Sequence, residues 1–235
     1  MHRLNLPVSF PTRALPGLLA WLRQSRVSIK VFEAICGTPV TDVVLGAFVL
    51  SSAPLRVADV SRVSTCSIEL LSAFHCLEQC SLGGQELGQS QDLSPLGNLP
   101  KLTDLLLCGD FFALDRLQHL TSLQLQDSVA KATDNCKFAS VLQELTLEHS
   151  DLHGLHTRGL SACTSLIMLQ LRESVLYDQN EDLQLPKNLS VMPTGIPLSS
   201  QLHTLHLVTD NDQTKSLAVN WIYELSSQRV LRTLV

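Results

Sequence analysis

The chain has 235 residues, of which 45% are apolar, 17% charged and 5% aromatic, and its 17 Lys+Arg against 22 Asp+Glu leave a formal charge of −5. That length fits one domain or one repeat array, and the aliphatic balance gives the packing to leucine. No basic run is long enough to track a phosphate backbone, so nucleic acid is not an expected partner, and no apolar stretch approaches the roughly 20 residues of a bilayer-spanning helix, so neither is a membrane.

Seven cysteines stand at positions 36, 66, 76, 80, 108, 136 and 163. Their odd number and irregular gaps lack the pairing pattern of a secreted scaffold and point to a reducing, intracellular location, cytoplasmic or nuclear. Leu15, Leu18, Leu19 and Leu22 are apolar near the start, but Pro16 and Gly17 interrupt the run. Arg23, Gln24 and Ser25 then stand where a signal peptide would be cleaved, which argues against one. Asn188, Leu189 and Ser190 match a glycosylation acceptor, a pattern common by accident.

In chain order, Pro16 suits a first helical turn, and the four leucines sit at i, i+3, i+4 and i+7. This predicts a capping helix within an N-terminal segment, residues 1–26, lying over the first strand. Val27, Ile29 and Val31 alternate as a strand does. From there a frame of three aliphatic anchors, Leu-x-x-Leu-x-Leu, begins to recur. Val40-Val43-Leu45 and Leu55-Ala58-Val60 fit it with small or β-branched substitutes, and Leu77-Cys80-Leu82 fits with cysteine as a small hydrophobe. Gly83 and Gly84 then read as a strand exit where glycine permits the bend. Five copies are clear: Leu102-Leu105-Leu107, Leu120-Leu123-Leu125, Leu142-Leu145-Leu147, Leu166-Leu169-Leu171 and Leu202-Leu205-Leu207.

Short helices are expected between strands, from Ile68, Leu71 and Phe74, from Leu114 and Leu117, and from Leu217, Trp221 and Leu225 in residues 214–227. Residues 93–102 carry too much Pro and Gly for a regular helix and read as an extended or single-turn crossover. Residues 177–200, with Pro186, Pro193 and Pro197, read as one long convex-side insertion. Leu231 and Leu234 open a last, truncated copy whose exposed edge would pair with another surface or continue in a longer chain.

These signatures resemble the leucine-rich-repeat superfamily. The resemblance implies an α/β solenoid over residues 27–235, with a curved parallel sheet on the concave side and short helices, 3-10 turns and loops on the convex side. It also implies a protein partner on the concave face. First-position residues 55, 77, 102, 120, 142, 166, 202 and 231 are 22, 25, 18, 22, 24, 36 and 29 apart, an irregular period. Uniform arrays fix the turn with Asn or Cys at the ninth place, where this chain has Gln85, Asp110, Ser128, Ser150, Ser174 and Asp210. The irregular spacing, the cysteine usage and the N-terminal helix are similar to the repeat halves of F-box proteins, which recruit substrates to cullin ubiquitin ligases. An F-box itself would need about 40 helical residues ahead of the repeats, and only 12 precede the helix here.

In each signature the first, fourth and sixth places point inward, so the third, fifth and seventh build the concave face. The candidate partner-binding residues on those places are Asp104, Leu106, Gln124, Glu144, Thr146, Met168, Gln170, Arg172 and His206.

Catalytic constellations are sparse. His149, His153 and His156 gather with Glu148 and Asp151, and His149 and His153 would present two metal ligands together on a helix. They follow a strand, however, so helical spacing need not apply. There is no Gly-x-Ser-x-Gly turn and no Gly-rich phosphate loop, and the cysteines have no base at a recognisable spacing. No catalytic residue, metal or cofactor is assigned. The leading reading is a non-catalytic protein-binding scaffold, with substrate recognition for a ubiquitin ligase as its finer form. A receptor-type ectodomain and a metal-dependent enzyme remain as alternatives.

Overall fold

The computed structural model describes residues 2–24, 28–63, 67–83, 90–131, 137–153, 163–172, 175–177, 201–208 and 233–234. It opens with strand β1 (His2–Leu6), helix α1 (Leu15–Gln24), β2 (Ile29–Ala34), helix α2 (Thr38–Leu50), β3 (Val57–Val60), helix α3 (Ile68–Ser72) and β4 (Gln79–Gly83). Strands then alternate, with β5 (Gln91–Asp92), β6 (Asp104–Cys108), β7 (Asp110–Phe112), β8 (Ser122–Gln126), β9 (Val129–Lys131), β10 (Glu144–Glu148) and β11 (Asp151–His153). Last come β12 (Met168–Arg172), β13 (Val175–Tyr177), β14 (Thr204–Val208) and β15 (Thr233–Leu234).

Among the described residues, ten strands form one sheet in the order β1-β2-β3-β4-β6-β8-β10-β12-β14-β15, and every neighbouring pair is parallel. Successive strands that run the same way must be joined by a crossover, and among the described residues the crossover segments pack on one another in chain order, α1 on α2, α2 on α3, and then 3-10 turn on 3-10 turn. This is the leucine-rich-repeat solenoid. The fourth-place anchors stand in register, Cys80 beside Leu105, then Leu123, Leu145, Leu169 and Leu205. All are at most 3% exposed, so the aliphatic triplets do line one shared interior. Each buried leucine is worth about 1.5–3 kcal/mol, but only after the next repeat covers it.

The sheet starts earlier than the residue pattern suggests. His2–Leu6 is already a strand paired in parallel with β2, so α1 links two strands rather than lying ahead of the first. Leu22 is buried and Leu15, Leu18 and Leu19 pack on the core, as the leucine spacing requires. The frame at Val40, Val43 and Leu45 is a correction: those residues belong to helix α2, not to a strand. Val40, Val44, Leu45, Ala47 and Phe48 are buried, which is helical spacing, whereas Val43 is 45% exposed. Pro39 sits in the first turn and Thr41 Oγ1 donates back to Gly37 O at 3.3 Å, so the local signals favour a helix start. Phe48 meets Phe32 of β2 edge to face at 5.3 Å.

α1 packs on α2, α2 on α3, and α3 on a 3-10 turn at Ser94–Asn98, after which, among the described residues, 3-10 turns stack on one another. The change is written in the spacing. Leu93, Leu96, Leu99 and Leu102, and again Leu114, Leu117 and Leu120, recur every third residue and are all buried, the period of a 3-10 helix rather than an α-helix. The turn at Leu114–Arg116 is therefore tighter than the expected helix, and that at residues 93–102 is the expected single-turn crossover.

A second parallel sheet, β13-β11-β9-β7-β5, lies behind the middle strands. Its pairs bring Phe111 to Ala130, Leu152 to Ala130 and Leu152 to Leu176, so an apolar residue about ten places into each repeat marks it. Between the two sheets the eighth place turns through the left-handed region, with Gly109 at φ 126°, and Asp127 and His149 both at φ 47°. The ninth place then does with serine what Asn does in uniform arrays. Ser128 Oγ donates toward Leu107 O (2.7 Å) or Gln126 O (2.8 Å) and accepts from Gly109 N (2.8 Å), while Ser150 Oγ lies 2.6 Å from Glu148 O and accepts from Ser128 N at 3.1 Å. Both serines are at most 3% exposed. Ser128→Ala strands the Gly109 amide and the one carbonyl to which the hydroxyl donates, and is expected to cost about 1–3 kcal/mol in urea unfolding; an unchanged midpoint would show that the serine hub carries no weight.

The insertion at 177–200 past Tyr177 and the helix expected at 214–227 lie outside the described residues. The truncated last copy supplies β15, which pairs with β14 at Thr204–Thr233 and Leu205–Leu234.

Candidate functional site

Two rows of side chains leave the main sheet away from the core. The third-place row runs Gln79, Asp104, Ser122, Glu144, Met168 and Thr204 in consecutive register. The fifth-place row runs Ser81, Leu106, Gln124, Thr146, Gln170 and His206. Eight of the nine candidate residues stand on these rows, and Arg172 ends β12 beside Glu148. Glu144 and Arg172 are exposed, and the other seven are half-buried by their neighbours.

The face is polar and its charges are unevenly compensated. Arg172 Nη1 donates to Glu148 Oε1 at 2.8 Å, Arg56 meets Glu78 at 3.6 Å, and Arg3 pairs with Glu33, which also accepts from Asn5 at 3.2 Å. The Arg3 pKa is raised, first by the Glu33 hydrogen bond and then by the Glu33 charge, so the guanidinium stays protonated. Asp59, Asp104 and Glu144 take part in no ion pair among the described residues. Their partners are neutral: Ser61 donates to Asp59 (2.7 Å), Thr103 Oγ1 to Asp104 (2.6 Å) and Ser122 Oγ to Glu144 (3.5 Å). Beside the rows, Thr103 Oγ1 also reaches Glu78 O at 3.3 Å and Thr121 Oγ1 reaches Thr103 O at 3.2 Å, so second-place threonines tie each strand to the one before.

The histidine group does not form a helical pair. His149 is a left-handed turn residue whose Nδ1 lies 3.5 Å from Asp127 Oδ1, Ser150 follows it into the interior, and His153 ends β11. His156 lies outside the described residues. Among the described residues no group of three or more His, Cys, Asp or Glu could hold a metal ion. Cys80 is buried, as its inward place requires, and Cys36, Cys76 and Cys108 are free thiols.

Cys108 ends β6, the strand that carries Asp104 and Leu106. Burial pushes its thiol pKa up, and the Asp127 and Asp59 carboxylates push it further in the same direction. Because the thiolate is the nucleophile, Cys108 is expected to alkylate slowly with iodoacetamide at pH 8, its rate still climbing at pH values where an ordinary thiol has levelled off. Asp127→Asn removes one of the opposing charges and should move that rise to lower pH in site-resolved mass spectrometry; a profile identical to wild type would refute the electrostatic part of this account.

No helix among the described residues is long and apolar enough to cross a membrane. No family model matches the chain, and no curated protein matches it. Among solved structures the chain is similar to an internalin from Listeria monocytogenes, with a TM-score of 0.48, 13% identity, and coverage of 86% of this chain and 68% of that chain.

Proposed function

We propose that the chain is a non-catalytic protein-binding scaffold that holds its partner on the concave face of the main sheet. The observation that carries this reading is the pair of outward rows. A parallel sheet with a leucine core holds these side chains at fixed spacing, with half-buried Leu106 and Met168 as apolar footholds and with Asp104 and Glu144 in no ion pair among the described residues. Apolar footholds supply affinity, and uncompensated carboxylates steer a cationic partner and set its register. The free thiols of Cys36, Cys76 and Cys108 support an intracellular location.

Substrate recognition for a ubiquitin ligase is the finer form of this reading. Its support is the irregular repeat length and the cysteine usage, and co-purification of a cullin adaptor with the full-length product tests it.

The face itself is tested with Leu106→Asp combined with Glu144→Lys. Both positions are off the core, so the far-ultraviolet spectrum and melting temperature should hold while capture of the native partner falls at least tenfold, the effect of about 1.4 kcal/mol. Full capture by the folded double variant would reject the concave-face reading.

A further inference from the structure

The parallel strands of the main sheet all start on one edge of the molecule, and a row of backbone bonds marks that edge. Arg56 N donates to Lys30 O (2.8 Å), Glu78 N to Arg56 O (2.8 Å), and the row continues through Thr103, Thr121 and Gln143 to Ile167 and His203. With one strand spacing per step it is about 33–34 Å long. α1 and α2 each carry the chain from one strand's exit to the next strand's start, so their C-terminal ends, with Trp21 and Leu50, lie on this same edge.

The edge differs from the rest of the chain in charge. The protein carries −5 overall. Over each second place and the four residues before it, the described residues nevertheless hold Lys30, Arg56 and Lys101 against Glu78 alone, and Arg23 in the last turn of α1 adds a fourth cation. Glu78 is taken by Arg56, whereas Arg23, Lys30 and Lys101 are in no ion pair among the described residues. Asp104 and Glu144 stand one place further along and leave on the concave face. Exposed apolar groups share the edge with the cations: Trp21 is 44% and Leu50 81% exposed, and farther along Val141 and Ile167 are each 38% exposed.

We propose that this edge docks on an anionic lipid bilayer, with Trp21 and Leu50 entering the headgroup boundary and Arg23, Lys30, Arg56 and Lys101 standing over the lipid phosphates and carboxylates. A long edge that mixes free cations with an exposed indole and leucine matches a flat, negatively charged surface with an apolar layer beneath it. Such a contact needs no spanning segment. The net-negative remainder is repelled by the same surface, so the molecule stands on this edge and its concave face stays open to the side. The inference does not depend on what that face binds.

The test is cosedimentation of the protein with sucrose-loaded vesicles of phosphatidylcholine alone, or with about one-third phosphatidylserine. Binding to the serine vesicles should be at least tenfold tighter and should weaken as salt rises. Arg23→Gln and Lys101→Gln should each weaken it about two- to fivefold, the worth of one cation near an anionic leaflet. Leu50→Ser should weaken it several-fold at low and high salt alike, since its contribution is apolar burial. Arg13→Gln removes an exposed cation that follows β1 at the opposite edge, and should leave binding unchanged. All four side chains are exposed, so circular dichroism should match wild type. No binding, equal binding to both vesicles, or an Arg13→Gln effect as large as that of Lys101→Gln would overturn the proposal. Poly-glutamate bound as tightly as the serine vesicles, with Leu50→Ser without effect on either, would assign the edge to an acidic protein and overturn it as well.

Discussion

Gly83→Ala is expected to destabilise the protein by about 3 kcal/mol or more, at the upper end of what overpacking costs. A Cβ at Gly83 would lie 1.9 Å from the Ser61 carbonyl oxygen, 2.6 Å from its carbon and 2.8 Å from its Cα. These are backbone atoms, so no rotamer change relieves the clash. Ser61 is moreover held in place, because its amide and hydroxyl both donate to Asp59 Oδ1, at 3.1 and 2.7 Å. The exits of β3 and β4 would have to part, and Gly83 is itself in register with Cys108 of β6, so the disturbance reaches a third strand. Gly46→Ala is the control. Nothing lies within 4 Å of a Cβ built there, and it falls inside α2, so alanine should be neutral or stabilise by up to about 1 kcal/mol. Urea unfolding of both variants decides the matter, and a Gly83→Ala protein as stable as wild type would mean that the two strand exits can separate freely.

The second large effect is expected at Leu145→Ala, about 3–5 kcal/mol. Leu145 is fully buried between Leu123 and Leu169, its register neighbours on either side. A cavity there cannot collapse easily, because the surrounding side chains hang from strands whose spacing is set by backbone hydrogen bonds. The loss also cuts the contact between repeats on either side, which in a solenoid is the main source of cooperativity. Leu4→Ala, on the edge strand and only half-buried, should cost markedly less. Similar costs at the two positions would indicate that neighbour stacking does not govern stability.

The repeat signature made the main sheet legible because inward and outward places alternate with a period that any strand must obey. Cys80 in place of leucine, and Ala58 with Val60, were readable for the same reason: burial tolerates any small apolar side chain. Val40, Val43 and Leu45 misled because a strand frame of three anchors is also satisfied by part of an apolar helix, and Pro39 with the buried Phe48 was the deciding signal. His2–Leu6 is too short and too polar for its pattern to identify it alone; its pairing with β2 makes it a strand. The second sheet could have been found from Phe111, Ala130, Leu152 and Leu176, but each of its strands is two or three residues long, below the length at which alternation can be recognised. Ser128 and Ser150 read as departures from Asn, yet their hub depends on which carbonyls the turn brings within reach, and sequence does not state that. The candidate face was legible as a set of positions. Which of its charges are paired was not, since Arg172 is committed to Glu148 while, among the described residues, Asp104 and Glu144 have hydroxyl donors and no cation.

The back of the molecule changes character after α3, and this has a geometric cost that differs along its length. Helices lying side by side need about 8–10 Å each, roughly twice the width of the strand each one follows. Where α1, α2 and α3 pack together, the outer rim must therefore open like a fan while the inner edge stays closely pleated. Behind β6, β8, β10 and β12 the short strands of the second sheet need no more width than the strands they follow, so the wedge there is smaller. The bend is thus sharpest over the first four strands, and the stretch that carries Asp104 and Glu144 curves more gently.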